Sequence, residues 1–371
     1  MEVLEAVYRI SGTERVRDRA AAILLEQTIE TPRSVAERYA FVRDHMMGSV
    51  GRVDLDPSNG ALATLSLPVV TASIDPAQFL NVLFGNSSLH ADVRLEDFTP
   101  PPSITTMLRG PRFGIPGLRE RTRVFDRPLT CSALKPVGAS LEDMAGICRD
   151  MAEGGLDLIK DDHYLADHPF APFDERVRVC QDVVEEVAAR TGHHAVYIPN
   201  LSGTPDDVKR QAFVAQRSGV GAVMAAPMLL GMPVFHQLCV SELEVPVVAH
   251  PSFAGVQAIR PATLYGKLFR LFGADAVIFA NYGGRFSFSA ATCEEIARTL
   301  RTPWLDLLPA FPTPAGGMDA GRAAELVHFF GTDSILLVGG SLLEAGDDLR
   351  EKSARFTESV RDAALAAKRP R

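Results

Sequence analysis

The 371-residue chain has a formal net charge of −8, with 46% hydrophobic and 23% charged residues. No apolar run is long enough to span a bilayer, and acids and bases are interspersed, without the basic stripe of a nucleic-acid binder. The acidic, strand-like start "MEVLEAVYRISG" does not read as a signal peptide, and five scattered cysteines without a C-x-x-C pair point to a reducing cytoplasm.

In chain order, residues 1–110 read as a small α+β domain of ferredoxin-like type. A strand in "LEAVYRI" is followed by a helix through "RVRDRAAAILLEQ" and strands around "GRVDLD" and "LATLSLPVV". The helix "DPAQFLNVLFG" and a strand near "ADVRLEDF" complete it, and the proline-rich "DFTPPPSI" (97–104) reads as a linker.

Residues 111–371 then alternate β-rich runs with amphipathic helices. The strands are expected in "LTCSALKP" (129–136), "LDLIKDDH" (156–163), "AVYIPNLS" (195–202) and "AVMAAPML" (222–229). Four more follow in "VPVVAHPS" (245–252), "DAVIFANY" (275–282), "WLDLLPAF" (304–311) and "SILLVGG" (334–340). Ser140 and Thr204 are placed to cap two of the intervening helices. Eight strand–helix units predict an α/β fold with a C-terminal (β/α)8 TIM barrel, in preference to a doubly wound sheet.

A barrel of this kind places its chemistry at the C-terminal ends of the strands. The polar candidates there are Lys135, Lys160, Asp162, His163, Asn200, His250, Asn281 and Arg285, with glycine pairs Gly316–Gly317 and Gly339–Gly340 after the last two strands. Lys160 and Asp162 are two residues apart and share a strand face with Leu156 and Leu158, so they point into the barrel. Two readings stand: a structural ion pair, or part of a divalent-metal shell with His163. The glycine pairs are either tight turns or a phosphate cradle.

"LKPVG" (134–138) followed by "GGLDLIKDDH" (154–163) resembles the ribulose-bisphosphate carboxylase large-chain superfamily. In that family the lysine of the second motif reacts with CO2, and the carbamate binds Mg2+ with a following aspartate and glutamate. "FGN" (84–86), "RLED" (94–97), "PF" (169–170), "AHPS" around His250, "AGGM" (315–318) and "LLVGG" (336–340) match in order. The resemblance implies a Mg2+ site at carbamylated Lys160, Asp162 and His163, with Lys135 as acid/base and His250 polarising a substrate oxygen. It implies substrate or phosphate contacts by Arg285, Asn200, Asn281 and the glycine pairs. Glu26, Thr31 and Asn86 match residues that complete a partner subunit's site, so a homodimer is implied.

The departures redirect the chemistry. Val137 replaces a lysine, His163 the metal-binding glutamate, Pro251 a basic residue, Ile278 a phosphate-binding histidine, Ala315 a serine and Arg285 the mobile-loop lysine. The chain is therefore expected to be a RuBisCO-like, non-carboxylating enzyme that enolises a small phosphorylated keto-sugar or sugar acid. A decarboxylase, transcarboxylase or hydrolase of a 3-oxo-isoapionate 4-phosphate-like substrate is the first expectation. The methionine-salvage reactions, 5-methylthioribulose 1-phosphate isomerisation or diketo-methylthiopentyl phosphate enolisation, come second. A non-catalytic regulatory homologue is the third.

Overall fold

The computed structural model describes residues 2–56, 58–256, 258–286 and 288–368. They form two compact units, one of Met1–Arg109 with Ala254–Leu264 and one of Gly110–Phe253 with Tyr265–Arg371.

The first unit contains β1 (Val3–Ile10), a helix Val16–Thr28, β2 (Ser49–Asp56), β3 (Gly60–Pro68), a helix Pro76–Phe84 and β4 (Val93–Thr99). The sheet order is β2-β3-β1-β4, and every pairing is antiparallel, the βαββαβ arrangement of a ferredoxin-like fold. Alternation along β1 buries Leu4, Ala6, Tyr8 and Ile10 on one face, and the Tyr8 hydroxyl donates to the Leu83 carbonyl at 2.5 Å. The proline-rich stretch is not an open linker. Pro101 caps a helix Pro102–Leu108 whose first residue is proline, a position where the missing N–H costs nothing. Ala254–Leu264 joins this unit through Leu95, whose N–H donates to Ala258 and whose carbonyl accepts from Arg260.

The second unit is built on β5 (Leu129–Leu134), β6 (Leu158–Asp161), β7 (Val196–Ile198), β8 (Asn200–Leu201), β9 (Val223–Ala225), β10 (Val247–Ala249), β11 (Ala276–Ala280), β12 (Phe311–Ala315) and β13 (Ile335–Leu337). All pairings are parallel, in two ladders, β13-β5-β6-β7 and β8-β9-β10-β11-β12. β7 and β8 are one strand interrupted at Pro199, and β12 lies beside β13, so eight strands close a (β/α)8 barrel. Leu129, Cys131, Leu158, Val196, Ile198, Met224, Val248, Ile278, Phe311 and Leu337 fill its interior. The helices between strands begin as their sequences require, with capping boxes Ser140/Asp143 and Thr204/Asp207.

The seventh barrel strand corrects the sequence reading. "WLDLLPAF" is mostly a turn, with a single bridge between Trp304 and Leu307, and the strand is "FPTPA". Two prolines inside a strand argue against it unless their missing N–H groups face away from the ladder. Here Phe311 donates to the Asp275 carbonyl and the Ala315 carbonyl accepts from Asn281, so the odd positions serve β11. Pro312 and Pro314 face β13, where the ladder is broken. Among the described residues no helix is long and apolar enough to cross a membrane, and all five cysteines are unpaired and buried.

Candidate active site

The interior parity of β6 carries directly into its mouth. Leu158 points into the barrel core, so Lys160 does too, and Asp162 follows on the same side. Lys160 is 4% exposed, and its ammonium donates to the Asp161 carbonyl at 2.7 Å. Asp162, 1% exposed, forms an ion pair with Lys135 from the end of β5, and its second oxygen accepts the Tyr164 N–H at 3.0 Å. That N–H bond turns the chain sharply and brings His163 back beside the carboxylate, with Nδ1 3.5 Å from Asp162 Oδ1. The His163 ring stacks on His250, from the end of β10, at 4.2 Å between centroids and 15° between planes. His250 Nδ1 accepts the Ser252 N–H at 3.2 Å and pairs with its hydroxyl at 2.8 Å.

The electrostatics follow from three cations and one buried carboxylate. Burial pushes the Lys160 ammonium below its ordinary value, and neighbouring Lys135 adds to this, while Asp162 and Cys131 oppose it. Burial also raises Asp162, but Lys135, the Tyr164 N–H, Lys160 and His163 outweigh it and hold the carboxyl below its usual range. His163 is lowered by burial and then by Lys160, Lys135 and Arg285, against the pull of Asp162. His250 lies well below an ordinary imidazole, through burial and the charges of Lys160, His163 and Lys135.

The two aspartates of "KDD" part company. Asp161 points out of the barrel, where Arg176 Nε, the Tyr197 hydroxyl and the Asn200 N–H converge on it at 3.0, 2.8 and 3.0 Å. Arg176 also ties down the loop after β6 by donating to the carbonyls of Ala166 and Ala171. Sequence reasoning missed this support; the one available signal was strand alternation, which sends residue 161 to the helix side.

Of the expected substrate groups, Asn200 is spent on structure: its amide donates to the carbonyls of His163 and Leu165 at 3.4 and 3.0 Å. Asn281 is the opposite case. It is fully buried at the end of β11, and neither amide atom finds a hydrogen-bond partner among the described residues. Arg285 donates its backbone N–H to the Gly316 carbonyl. A Cβ on Gly316 would lie 2.8 Å from the Phe286 ring and one on Gly317 2.9 Å from the Arg285 nitrogen, so close approach of this loop requires both glycines. Gly339 and Gly340 face open space, with nothing within 4 Å of an added Cβ. In the first unit, Asn86 donates to Glu26 at 2.8 Å, and Thr31 lines a cavity of about 330 Å³ with Glu30 and Tyr39.

Among the described residues no three His, Cys, Asp or Glu side chains gather closely enough to hold a metal by themselves. The site fits a divalent ion only through Lys160. Its depressed ammonium favours the neutral amine that adds CO2, and the product would be a second anionic oxygen donor beside Asp162. Asp162 already takes one cation, the Lys135 ammonium.

Comparison with known proteins agrees with this geometry. Residues 114–346 match the model of the ribulose bisphosphate carboxylase large chain, catalytic domain. The chain is 44% identical to ribulose bisphosphate carboxylase-like protein 1 of Rhodopseudomonas palustris over 97% of its length and 98% of that protein's. It is 41% identical to 5-methylthioribulose-1-phosphate isomerase of Rhodospirillum rubrum, covering 97% of both chains. The crystal structure of a Rubisco-like protein from Rhodopseudomonas palustris superposes with a TM-score of 0.89, at 41% identity and 98% coverage of each chain. The chain thus belongs to the ribulose bisphosphate carboxylase large-chain family, as an enzyme of its RuBisCO-like, non-carboxylating branch.

Proposed function

We propose that this enzyme moves a proton between carbons of a small phosphorylated keto-sugar, with 5-methylthioribulose 1-phosphate or a close methylthio analogue as substrate. The Lys135–Asp162 pair carries the reading: an amine, 37% exposed, is held at the barrel mouth by a buried carboxylate. Lys135 Nζ takes the proton from the carbon beside the carbonyl and returns it to a neighbouring one. Asp162 orients that amine. A divalent cation bound by Asp162 and a Lys160 carbamate supplies Lewis-acid stabilisation of the charge developing on the substrate oxygens.

The substrate class draws on two supports. The Rhodospirillum rubrum relative bears the isomerase name at 41% identity. Val137, Tyr164, Phe170, Phe253 and Phe286, all on loops after barrel strands, are exposed and suit a thioether end. The open Gly339–Gly340 backbone suits the phosphate. Glu26 and Asn86, joined by their hydrogen bond, are the groups we assign to a partner subunit's site in a homodimer. The sugar-acid phosphate stands second for one observation: Arg285 acts electrostatically on His163 and suits a substrate carboxylate.

Incubation with 5-methylthioribulose 1-phosphate in D2O, with bicarbonate and a divalent cation, tests the reading by NMR. Deuterium should enter beside the carbonyl, and Lys135→Ala should slow this by about 10²–10⁴-fold, the usual worth of a general base. Exchange unchanged in Lys135→Ala would remove the lysine's role. Turnover of a 3-oxo sugar-acid phosphate without exchange of the methylthio sugar would reverse the order of the two substrates.

A further inference from the structure

We infer that His163 is itself a ligand of the cation at this site and makes the enzyme prefer a first-row transition-metal ion over Mg2+. The inference rests on the cation site proposed at Asp162 and names which ion that site selects.

The donor set comes first. Mg2+ is held by oxygen, whereas imidazole suits the later transition ions. Asp162 is the one carboxylate pointing into this mouth from β6, and no cluster of three His, Cys, Asp or Glu side chains surrounds it among the described residues. A carbamate on Lys160 adds oxygen, and the nearest further donor is the His163 imidazole, Nδ1 3.5 Å from Asp162 Oδ1.

The availability of that nitrogen comes second. A separation of 3.5 Å is beyond a good hydrogen bond, so the ring is not spent on the carboxylate. Neither His163 ring nitrogen makes a hydrogen bond among the described residues, although the side chain is 29% exposed. Its ring is nonetheless held by face-to-face stacking on His250.

The division of labour between the two histidines comes third. His250 Nδ1 accepts the Ser252 N–H, which leaves the hydrogen of the neutral ring on Nε2 and no free lone pair. His250 is thus the platform, a positioning residue, and His163 the ligand. Supports of this kind orient metal ligands in many sites.

The test is metal binding itself, on the full-length protein with bicarbonate, in the wild type and in His163→Glu, His250→Phe and Asp162→Asn. Calorimetry compares Co2+ with Mg2+, and pulsed EPR of the Mn2+-loaded protein looks for ¹⁴N coupling. The wild type should bind Co2+ more tightly than Mg2+ and show nitrogen coupling. His163→Glu should lose that coupling and shift the Co2+/Mg2+ ratio toward Mg2+ by about tenfold or more. His250→Phe, which keeps a stacking surface, should retain the coupling.

Equal affinities without nitrogen coupling, abolished by Asp162→Asn, would overturn the inference and leave the cation site standing. Nitrogen coupling that survives in His163→Glu and vanishes in His250→Phe would assign the ligand to the wrong histidine and overturn it too. Failure of every ion to bind wild type and His163→Glu, or binding indifferent to Asp162→Asn, would overturn the cation reading beneath it.

Discussion

The two ends of the barrel bury polar groups in opposite ways. At the N-terminal end, Asp157 is fully buried and saturated: Arg127 grips both its oxygens at 2.6 and 2.8 Å, and the Thr130 N–H and hydroxyl add 2.7 and 2.9 Å bonds. Asp275, also buried there, accepts N–H groups from Phe113, Gly114 and Val247 at 2.8, 2.6 and 2.8 Å. At the C-terminal end, Lys160 has one carbonyl, His163 has no hydrogen bond on its ring, and Asn281 has no partner at all among the described residues. Buried polar atoms are normally satisfied, so unsatisfied ones need a reason. The lower groups hold strands to loops; the upper ones are left for something that binds.

The comparison predicts opposite signs for similar substitutions. The largest effect is expected below. Arg127→Met leaves Asp157 buried without its cation and should cost about 3–5 kcal/mol, read as a fall in the urea midpoint. Residual deuterium exchange in the folded fraction should be unaltered. A change of less than about 1 kcal/mol would mean that the lower carboxylate is not bearing on stability.

Asp275 gives the next effect, through pH. Burial raises its pKa from 3.8 to about 6, against the three N–H donors that favour its charge. The folded state therefore binds this proton more tightly than the unfolded chain. Its contribution is present below about pH 4, falls as the pH climbs toward 6, and is level above that, about 3 kcal/mol in all. The measurement is the stability difference between wild type and Asp275→Asn across this window, which cancels the acid titrations elsewhere. A difference that rises with pH would show the three N–H bonds outweighing burial.

Strand alternation made much of the upper site legible in advance. It put Lys160 and Asp162 inside, and position after a strand singled out Lys135 and His250. It did not reveal that Asp161, adjacent in sequence, belongs to Arg176 and Tyr197, because those partners lie 15 and 36 residues away on a helix and the next strand. The stacking of His163 on His250 joins loops 87 residues apart and leaves no local pattern. Asn200 looked like a substrate group because nothing in the chain shows that two loop carbonyls claim its amide. The β12 strand was hidden by Pro312 and Pro314, since whether a proline breaks a strand depends on which side its missing N–H faces.

The smallest effect is the most diagnostic. Asn281 sits at the end of β11 with both amide atoms buried and unpaired among the described residues. An apolar side chain of similar size removes that desolvation penalty, so Asn281→Leu should raise stability by about 1–3 kcal/mol. If the amide is kept for a ligand, the same variant should weaken substrate binding, seen as a higher KM with the exchange rate at saturation little changed. A gain in stability without any change in KM would make Asn281 a tolerated defect instead of an upper-end binding group. A loss of stability would mean that the amide is satisfied in solution, and the contrast between the ends would then rest on Lys160 and His163.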